Sequence, residues 1–401
     1  MAKLTVKNVG PIREAELEVK KHTIFIGPQG SGKSTLAKLI AILSSRKTDK
    51  FSHYTFSDYN IHNYVTQEST AVFSTTHLQA SLQDKGLLYS LLNDKGNILS
   101  QVTVLPNNDS TPKDWPNEDN NIYEELQKIS EFSNDVQTSK LIKDLLLRID
   151  KIPDIWRSSS SLIEEYIPSE RMLLAVLSKS IWSLINSDID FPKIILSFAS
   201  NFERIRNQII DFHIPFLNVT YEHKQGEDIL IHETGHISLS QSASGYQSII
   251  PLLLVVEVTR QRSSRRFIIE EPELNLYPST QKDLIYNMVG GLLPNVDYPD
   301  TEWIITTHSP YVLSSFNTLM LAYKVAQKSD ELRAEVEKII PSRCWINPDE
   351  FAAYYVDNGT VRSIINEKTG LIADNELDDV SEDLAGEQDQ LFELSRSVPR
   401  A

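Results

Sequence analysis

Gly27-Pro28-Gln29-Gly30-Ser31-Gly32-Lys33-Ser34-Thr35 follows the apolar run Thr23-Ile24-Phe25-Ile26 and leads into Leu36, Leu39, Ile40 and Leu43 at helical spacing. Strand, glycine-rich loop and helix in that order make a P-loop. Its backbone N–H groups and the helix N-terminus form a cradle for polyphosphate, here Gly27, Gln29, Gly30, Ser31, Gly32, Lys33, Ser34 and Thr35. The Lys33 ammonium is placed to reach the β- and γ-phosphates, and the Ser34 hydroxyl is placed on Mg²⁺. The remainder of the chain is read against a nucleotide held there.

Outward from the loop, 401 residues suffice for one large core or two modest ones. The longest apolar run, Ile249 to Val256 with Pro251 inside, is far short of the ~20 residues of a membrane helix, and no signal-peptide pattern opens the chain. A cytoplasmic protein without its own anchor is expected. The single cysteine, Cys344, excludes an internal disulfide and a cysteine-rich zinc site, and reads as a half-buried thiol. A net charge of −16 argues against a surface that grips nucleic acid throughout. A local basic patch remains open at Arg260, Arg262, Arg265 and Arg266, which read equally well as a solvated loop entering a strand. Asp374 to Glu393 carries acids and no Lys or Arg, as a solvated helix face or flexible tail does.

Apolar and polar residues alternate in Leu4 to Lys7 and Ala15 to Val19 about the Gly10-Pro11 turn, predicting a hairpin that feeds the P-loop strand. Phe51 to Gln83 is weakly patterned. A second hairpin is predicted from Leu87 to Leu91 and Ile98 to Leu105, and a surface loop over Asn107 to Asn121. Helical spacing in Leu141, Ile142, Leu145, Leu146, in Leu173, Leu174, Leu177, Ile181, and in Ile194, Ile195, Phe198 predicts an all-helical insertion from Ile122 to about Phe212. Beyond it, strands alternate with helices, so the class is α/β. The expected organisation is an N-terminal part of the head over 1–106, the insertion over 107–214, a C-terminal part over 215–370 and an acidic tail over 371–401.

Phe267-Ile268-Ile269-Glu270-Glu271-Pro272 is an apolar strand ending in two carboxylates. Glu270 is assigned to the metal through its water shell and Glu271 to the base that polarises the attacking water. Ile304-Ile305-Thr306-Thr307-His308-Ser309-Pro310 sets His308 at the end of another apolar strand, as a γ-phosphate sensor. Leu239-Ser240-Gln241-Ser242-Ala243-Ser244-Gly245-Tyr246 opens a long helix. That turn is either a second anion site or an ordinary serine cap.

In this order the four elements resemble the ABC-type ATPase head of the SMC and RecF-like group: Walker A, signature, Walker B with adjacent glutamate, and switch histidine. Asn8-Val9-Gly10-Pro11-Ile12 is similar to the first hairpin of those heads. Glu270-Glu271-Pro272-Glu273-Leu274-Asn275-Leu276-Tyr277-Pro278 and Thr307-His308-Ser309-Pro310 look most like the ATPase half of OLD-type proteins and their stand-alone relatives in bacterial defence systems. Tyr166-Ile167-Pro168-Ser169-Glu170-Arg171 and Thr369-Gly370-Leu371-Ile372 are also similar to such ATPases, including the ATPase subunit of PARIS-like systems. The likeness covers residues 1–50 and 215–375 and little of the insertion.

The resemblance implies ATP and Mg²⁺ as cofactors, a mixed-sheet P-loop head, and slow hydrolysis with Lys33, Glu271 and His308 in the catalytic set. It also implies a head-to-head dimer, or a larger homo-oligomer, in which Ser244 and Gly245 touch the nucleotide of a second copy. Ser-Ala-Ser-Gly-Tyr-Gln stands where that group has Leu-Ser-Gly-Gly-Gln, leaving Ser242 and Ser244 both open as the γ-phosphate contact. Glu270 replaces the usual aspartate. The Q-loop has three candidates, Gln67, Gln79 and Gln83, and Arg171 reads either as a phosphate contact or as a solvent-facing residue of a helix capped by Ser169. The hairpin from Phe351 to Ile365 is too short for the Toprim nuclease of OLD proteins, so a separate effector chain, a nuclease or toxin, is the implied partner. A RecF-like repair ATPase that binds DNA directly and a nucleotide-stabilised scaffold that holds an effector inactive are the competing readings.

Overall fold

Strands covered on both faces need apolar runs, and three segments carry one: Ile24-Phe25-Ile26 within His22–Ile26 (β3), Phe267-Ile268-Ile269 within Arg265–Glu270 (β13) and Trp303-Ile304-Ile305 within Thr301–Thr306 (β14). The computed structural model describes residues 2–44, 56, 58–75, 78–83, 86–92, 98–104, 162–177, 192–293, 296–373 and 385–392. In it these strands are adjacent and parallel, with β14 between the P-loop strand β3 and the glutamate strand β13. Ile163–Ile167 (β8) adds in parallel beyond β13, and Phe351–Asp357 (β15) adds in parallel beyond β3. Thr360–Ser363 (β16) closes the far edge antiparallel to β15. The result is a mixed sheet of α/β class, with the order β16-β15-β3-β14-β13-β8.

An antiparallel sheet, β2-β1-β4-β5-β6-β7, is built from Ile12–Val19 (β2), Ala2–Val9 (β1), Val65–Ser74 (β4), Leu78–Gln83 (β5), Gly86–Leu92 (β6) and Ile98–Val104 (β7). Leu4, Val6, Ala15 and Leu17 alternate inward, as the sequence predicts for this hairpin. β4 and β5 lie in the weakly patterned stretch before Gln83. A third sheet joins Asp211–Ile214 (β9), Val219–Lys224 (β10), Glu227–His232 (β11) and Gly235–Ser238 (β12), all antiparallel.

Helices flank the central sheet. Lys33–Ser44 (α1) leaves the P-loop, and the short Leu173–Leu177 (α2) and Lys193–Arg206 (α3) follow β8. Ser244–Arg260 (α4) is buried along nearly its whole length, which is why it carries apolar residues on every face. Pro278–Gly290 (α5), Pro310–Ala326 (α6) and Asp330–Ile339 (α7) complete the core. Arg13 Nε donates to the Asn358 carbonyl at 2.9 Å, and the amides of Arg13 and Glu14 donate to Gly359 O at 2.8 and 3.0 Å. The β2 strand is thereby clasped to the β15–β16 turn.

Residues 1–104 with 163–401 form one compact unit and residues 105–162 a second. The segment from Ile122 to Phe212 is not all helical: β8 is a strand of the central sheet. Its Glu164 and Glu165 disguise the alternation because they pair with arginines of β13, Glu164 with Arg266 at 3.3 Å and Glu165 with Arg265 at 3.7 Å. The predicted loop over 107–121 and the helical run at 141–146 lie outside the described residues. Cys344 is fully buried rather than half-buried, its thiol against the Tyr286 carbonyl and pushed up in pKa by burial. Among the described residues no helix is long and apolar enough to cross a membrane. The part of the acidic stretch within them, 385–392, is helical and exposed.

Candidate functional site

A glycine-rich loop can wrap an anion only where side chains are absent from its inner path. Gly27 and Gly32 have φ of 142° and 108°, in the region that favours glycine. A Cβ on Gly27 would overlap the Val356 carbonyl, and one on Gly32 would overlap the Ile12 side chain. The crest Pro28-Gln29-Gly30 is exposed, and α1 begins at Lys33 with its first-turn N–H groups lacking helical acceptors. Lys33 Nζ donates to the carbonyls of Gly27 at 3.0 Å and Pro28 at 2.8 Å. Burial brings its pKa down to about 8, against the opposing pull of Glu271, Glu273 and Glu270. Ser31 Oγ is buried without a hydrogen-bond partner. An open crest, a folded-back ammonium and an orphaned hydroxyl fit a polyphosphate, with Ser34 in the first helical turn and Thr35 buried behind it.

The parallel pairing of β3, β14 and β13 brings the predicted carboxylates and the histidine to the same sheet end as the loop. Glu271 sits just past β13 with φ of 44°, its amide donating to Thr306 O at 2.9 Å. His308 Nε2 stands 3.5 Å from Glu271 Oε1. Burial first and Lys33 second lower the His308 pKa, opposed by Glu271 and by a hydrogen bond to the Gly27 backbone. The imidazole is therefore neutral at pH 7. A neutral imidazole beside a carboxylate and an ammonium can order a water and a phosphate oxygen together.

Glu270 is buried, and both of its oxygens are held. Tyr166 donates its hydroxyl to Oε1, Ser169 Oγ donates to Oε2 at 3.3 Å, and Lys38 Nζ lies 4.0 Å from Oε1. Among the described residues no group of three or more His, Cys, Asp or Glu side chains could hold a metal. Glu270 and Ser34 would hold one only with the help of water and phosphate oxygens.

Several residues here escape sequence reasoning. Glu273 Oε1 accepts from Thr307 Oγ1 at 2.6 Å and from the His308 amide at 2.9 Å, fastening the histidine loop to the glutamate loop. Its Oε2 is buried and unpartnered, and burial raises its pKa. Arg171 is 0% exposed, so the solvent-face reading is wrong, and Ser169 bonds Glu270 rather than capping a helix. The run Tyr-Ile-Pro-Ser-Glu-Arg, which begins in the last two residues of β8 and turns off its end, was the available signal.

The arginine cluster is also corrected, because the fold consumes it. Arg260 is 2% exposed, lies 3.7 Å over the Tyr298 ring and pairs with Glu257 at 3.4 Å. Arg266 pairs with Glu302 at 2.7 Å, Arg265 faces Glu165, and Arg262 donates to Gln208. Of the four, Arg262 alone is exposed.

In the serine-rich turn, Ser242 Oγ donates to the Leu239 carbonyl at 2.7 Å, whereas Ser244 is exposed at the start of α4. Gly245 lies against the Asn275 carbonyl, which a Cβ would approach to 2.9 Å. Among the described residues no hydrogen bond or ion pair joins Ser244 or Gly245 to the 27–35 loop.

The model of the AAA ATPase domain family matches residues 1–165 and 120–313, spanning the loop, the carboxylates and His308. The chain belongs to the AAA ATPase domain family. No curated protein matches it. Among solved structures, this AAA ATPase domain is similar to the SMC head domain from Thermotoga maritima, at 11% identity and a TM-score of 0.38, over 90% of this chain and 97% of the other. It is likewise similar to the Smc head domain with an extended coiled coil bound to the C-terminal domain of ScpA from Pyrococcus furiosus. That match has 13% identity and a TM-score of 0.37, over 91% and 96% of the two chains. The assignment of this AAA ATPase domain rests on the family match and on its own P-loop sheet.

Proposed function

We propose that the chain is a Mg²⁺-dependent ATPase whose two nucleotide-engaged heads close on each other and thereby switch a separate effector protein in a defence complex. The 3.5 Å approach of His308 to Glu271, beside the buried Lys33, carries the hydrolytic part of this reading. Bound Mg²⁺-ATP supplies an activated γ-phosphoryl group with its charge partly neutralised by the metal. Lys33 leaves the carbonyls of Gly27 and Pro28 for phosphate oxygens, and the loop amides of residues 29–35 fix the chain of phosphates. Glu270, oriented by Tyr166 and Ser169, and Ser34 would hold the Mg²⁺ together with water and phosphate oxygens. Glu271 takes the proton of an attacking water, and neutral His308 holds that water or a γ-phosphate oxygen in line.

Ser244 is the better donor to a second copy's nucleotide, since Ser242 already spends its proton on Leu239. A dimeric site, a nuclease or toxin effector, and kinship with the ATPase subunits of PARIS-like systems rest on the sequence resemblance. Direct DNA binding in the RecF manner loses most of its sequence support, because Arg260, Arg265 and Arg266 are paired with carboxylates of the chain itself.

The test is steady-state ATP turnover and solution mass of the wild type and Glu271→Gln, with and without Mg²⁺-ATP and duplex DNA. Turnover by the wild type, together with an inactive Glu271→Gln trapped as an ATP-dependent dimer or larger assembly, supports the switch. Identical assemblies without turnover in either protein would replace it with a scaffold, and stimulation by DNA would restore the repair reading.

A further inference from the structure

A guanidinium sealed from water is costly unless its donors are satisfied, and Arg171 satisfies its own in an unusual way. Nη1 donates to Pro168 O at 3.1 Å and Glu270 O at 2.7 Å, Nη2 to Glu271 O at 2.6 Å, and Nε to Ser248 O at 3.2 Å. Every acceptor is a main-chain carbonyl, and among the described residues no carboxylate lies within ion-pair distance of it. Two of the carbonyls belong to the paired glutamates, and one belongs to α4, the helix that opens at Ser244. Glu271 meanwhile holds a left-handed backbone, φ 44°, which is strained for a residue with a side chain. Conformations of that kind persist only where their surroundings enforce them. The enforcing contacts are the Thr306 carbonyl, which takes the Glu271 amide, and the Arg171 fork, which takes the carbonyls of residues 270 and 271. The rigid, planar set of donors is what this task needs and what lysine lacks.

We infer that Arg171 is a positioning residue: it holds the Glu271 carboxylate in its place beside His308 and ties that place to the first turns of α4. The inference rests on Glu271 acting as the base. Arg171 touches neither phosphate nor water in this role, so its removal acts through Glu271. Loss of a residue needed only for packing would weaken nucleotide binding and stability together. Loss of a positioning residue lowers turnover and leaves binding alone.

The experiment uses the full chain with Arg171→Met and Arg171→Lys, each alone and combined with Glu271→Gln. Turnover number, affinity for a non-hydrolysable ATP analogue, and hydrogen exchange of the amides of 271 and 273 to 276 in the nucleotide-free protein are read out. Arg171→Met is expected to lower turnover about 100-fold, as a shift near 1 Å at the reacting centre does, with analogue affinity within about threefold. Exchange at the Glu271 amide, and at the Leu274 amide that donates to the Glu271 carbonyl at 3.1 Å, should quicken about tenfold or more. In the Glu271→Gln background the same substitution should change the residual rate less than about twofold, the mark of two residues acting as a unit. Arg171→Lys, the variant that keeps the charge and guards against a folding failure, should show the same pattern at about a tenfold loss. Wild-type turnover and exchange in both variants would overturn the inference, as would equal losses in the two backgrounds together with lost affinity. If Glu271→Gln itself turns over like the wild type, the base assignment fails, and the exchange data alone decide whether Arg171 fixes residue 271.

Discussion

Oε1 of Glu271 lies 3.5 Å from Nε2 of His308, and the two side chains reach that distance from the ends of neighbouring parallel strands. Burial and Lys33 hold the imidazole below its usual 6.5. Protonation of His308 therefore begins only in more acidic solution. The acidic limb of turnover that belongs to His308 should fall below pH 6.5 and vanish in His308→Gln, with a loss of about 100-fold at pH 7.5. Rate profiles from pH 4.5 to 8 decide it, and a limb above 6.5 would remove His308 from the proton economy of the site.

Lys33 gives a second pH signature, of opposite direction. Its ammonium has a pKa of about 8 in the nucleotide-free protein. Phosphate contact favours the charged form, so binding above pH 8 must draw a proton from solution. Nucleotide affinity should be level below pH 7 and fall toward tenfold per pH unit above about 8.5. Calorimetry in buffers of different ionisation enthalpy should record proton uptake approaching one per site at pH 9, and no uptake at pH 9 would show that Lys33 is already fully charged.

Glu273 should make the fold itself sensitive to pH. Its carboxyl is held above 4.5 by burial, so over the window above 4.5 the folded chain binds more protons than the unfolded chain. Stability is then full below that pH and falls as pH rises through the raised value. Glu273→Gln keeps an acceptor for Thr307 and the His308 amide but cannot ionise. Its melting temperature should exceed that of the wild type by about 2 °C or more at pH 8, roughly 1 kcal/mol, and the gap should close near pH 4. Parallel melting curves across that range would contradict the assignment.

Arg260 is a structural cation. Arg260→Ala leaves Glu257 buried without its cation, with the Tyr298 hydroxyl beside it, and strips the cover from the Tyr298 ring, a change worth about 3–5 kcal/mol of stability. Chemical unfolding measures that loss, while affinity for duplex DNA should be unchanged by Arg266→Ala. A variant with intact stability and lost DNA affinity would return the arginines to the surface role.

Tyr166→Phe removes one of the two hydroxyls that orient Glu270 and leaves the ring in place. The Mg²⁺ concentration for half-maximal turnover should rise about 3- to 10-fold with little change at saturating metal, since outer partners of a ligand commonly carry effects of this size and above. An unchanged metal requirement would separate Glu270 from the metal.

The P-loop, the glutamate pair and His308 were legible because each is a local signal, a short polar motif at the end of an apolar strand. Arg171 and Glu273 were not, because their meaning lies in partners of other elements: Arg171 in two carbonyls 99 and 100 residues away, Glu273 in Thr307 and the next amide. Polar triplets such as Ser169-Glu170-Arg171 look like surface until a strand beside them is known. β8 hid for the same reason, since its glutamates are apolar in effect only once Arg265 and Arg266 neutralise them. β4 and β5 escaped because Thr66, Gln67 and Glu68 are exposed along β4, so that no alternation shows there.

The clasp between Arg13 and the Asn358-Gly359 turn fastens an early strand of the head to a late one. A head closed on itself in this way does not need its own peptide bonds to run in one order. Pieces ending at 104 and beginning at 163 share one sheet, β3 of the first lying between β14 and β15 of the second, which makes the head a candidate for reassembly from two separately made pieces.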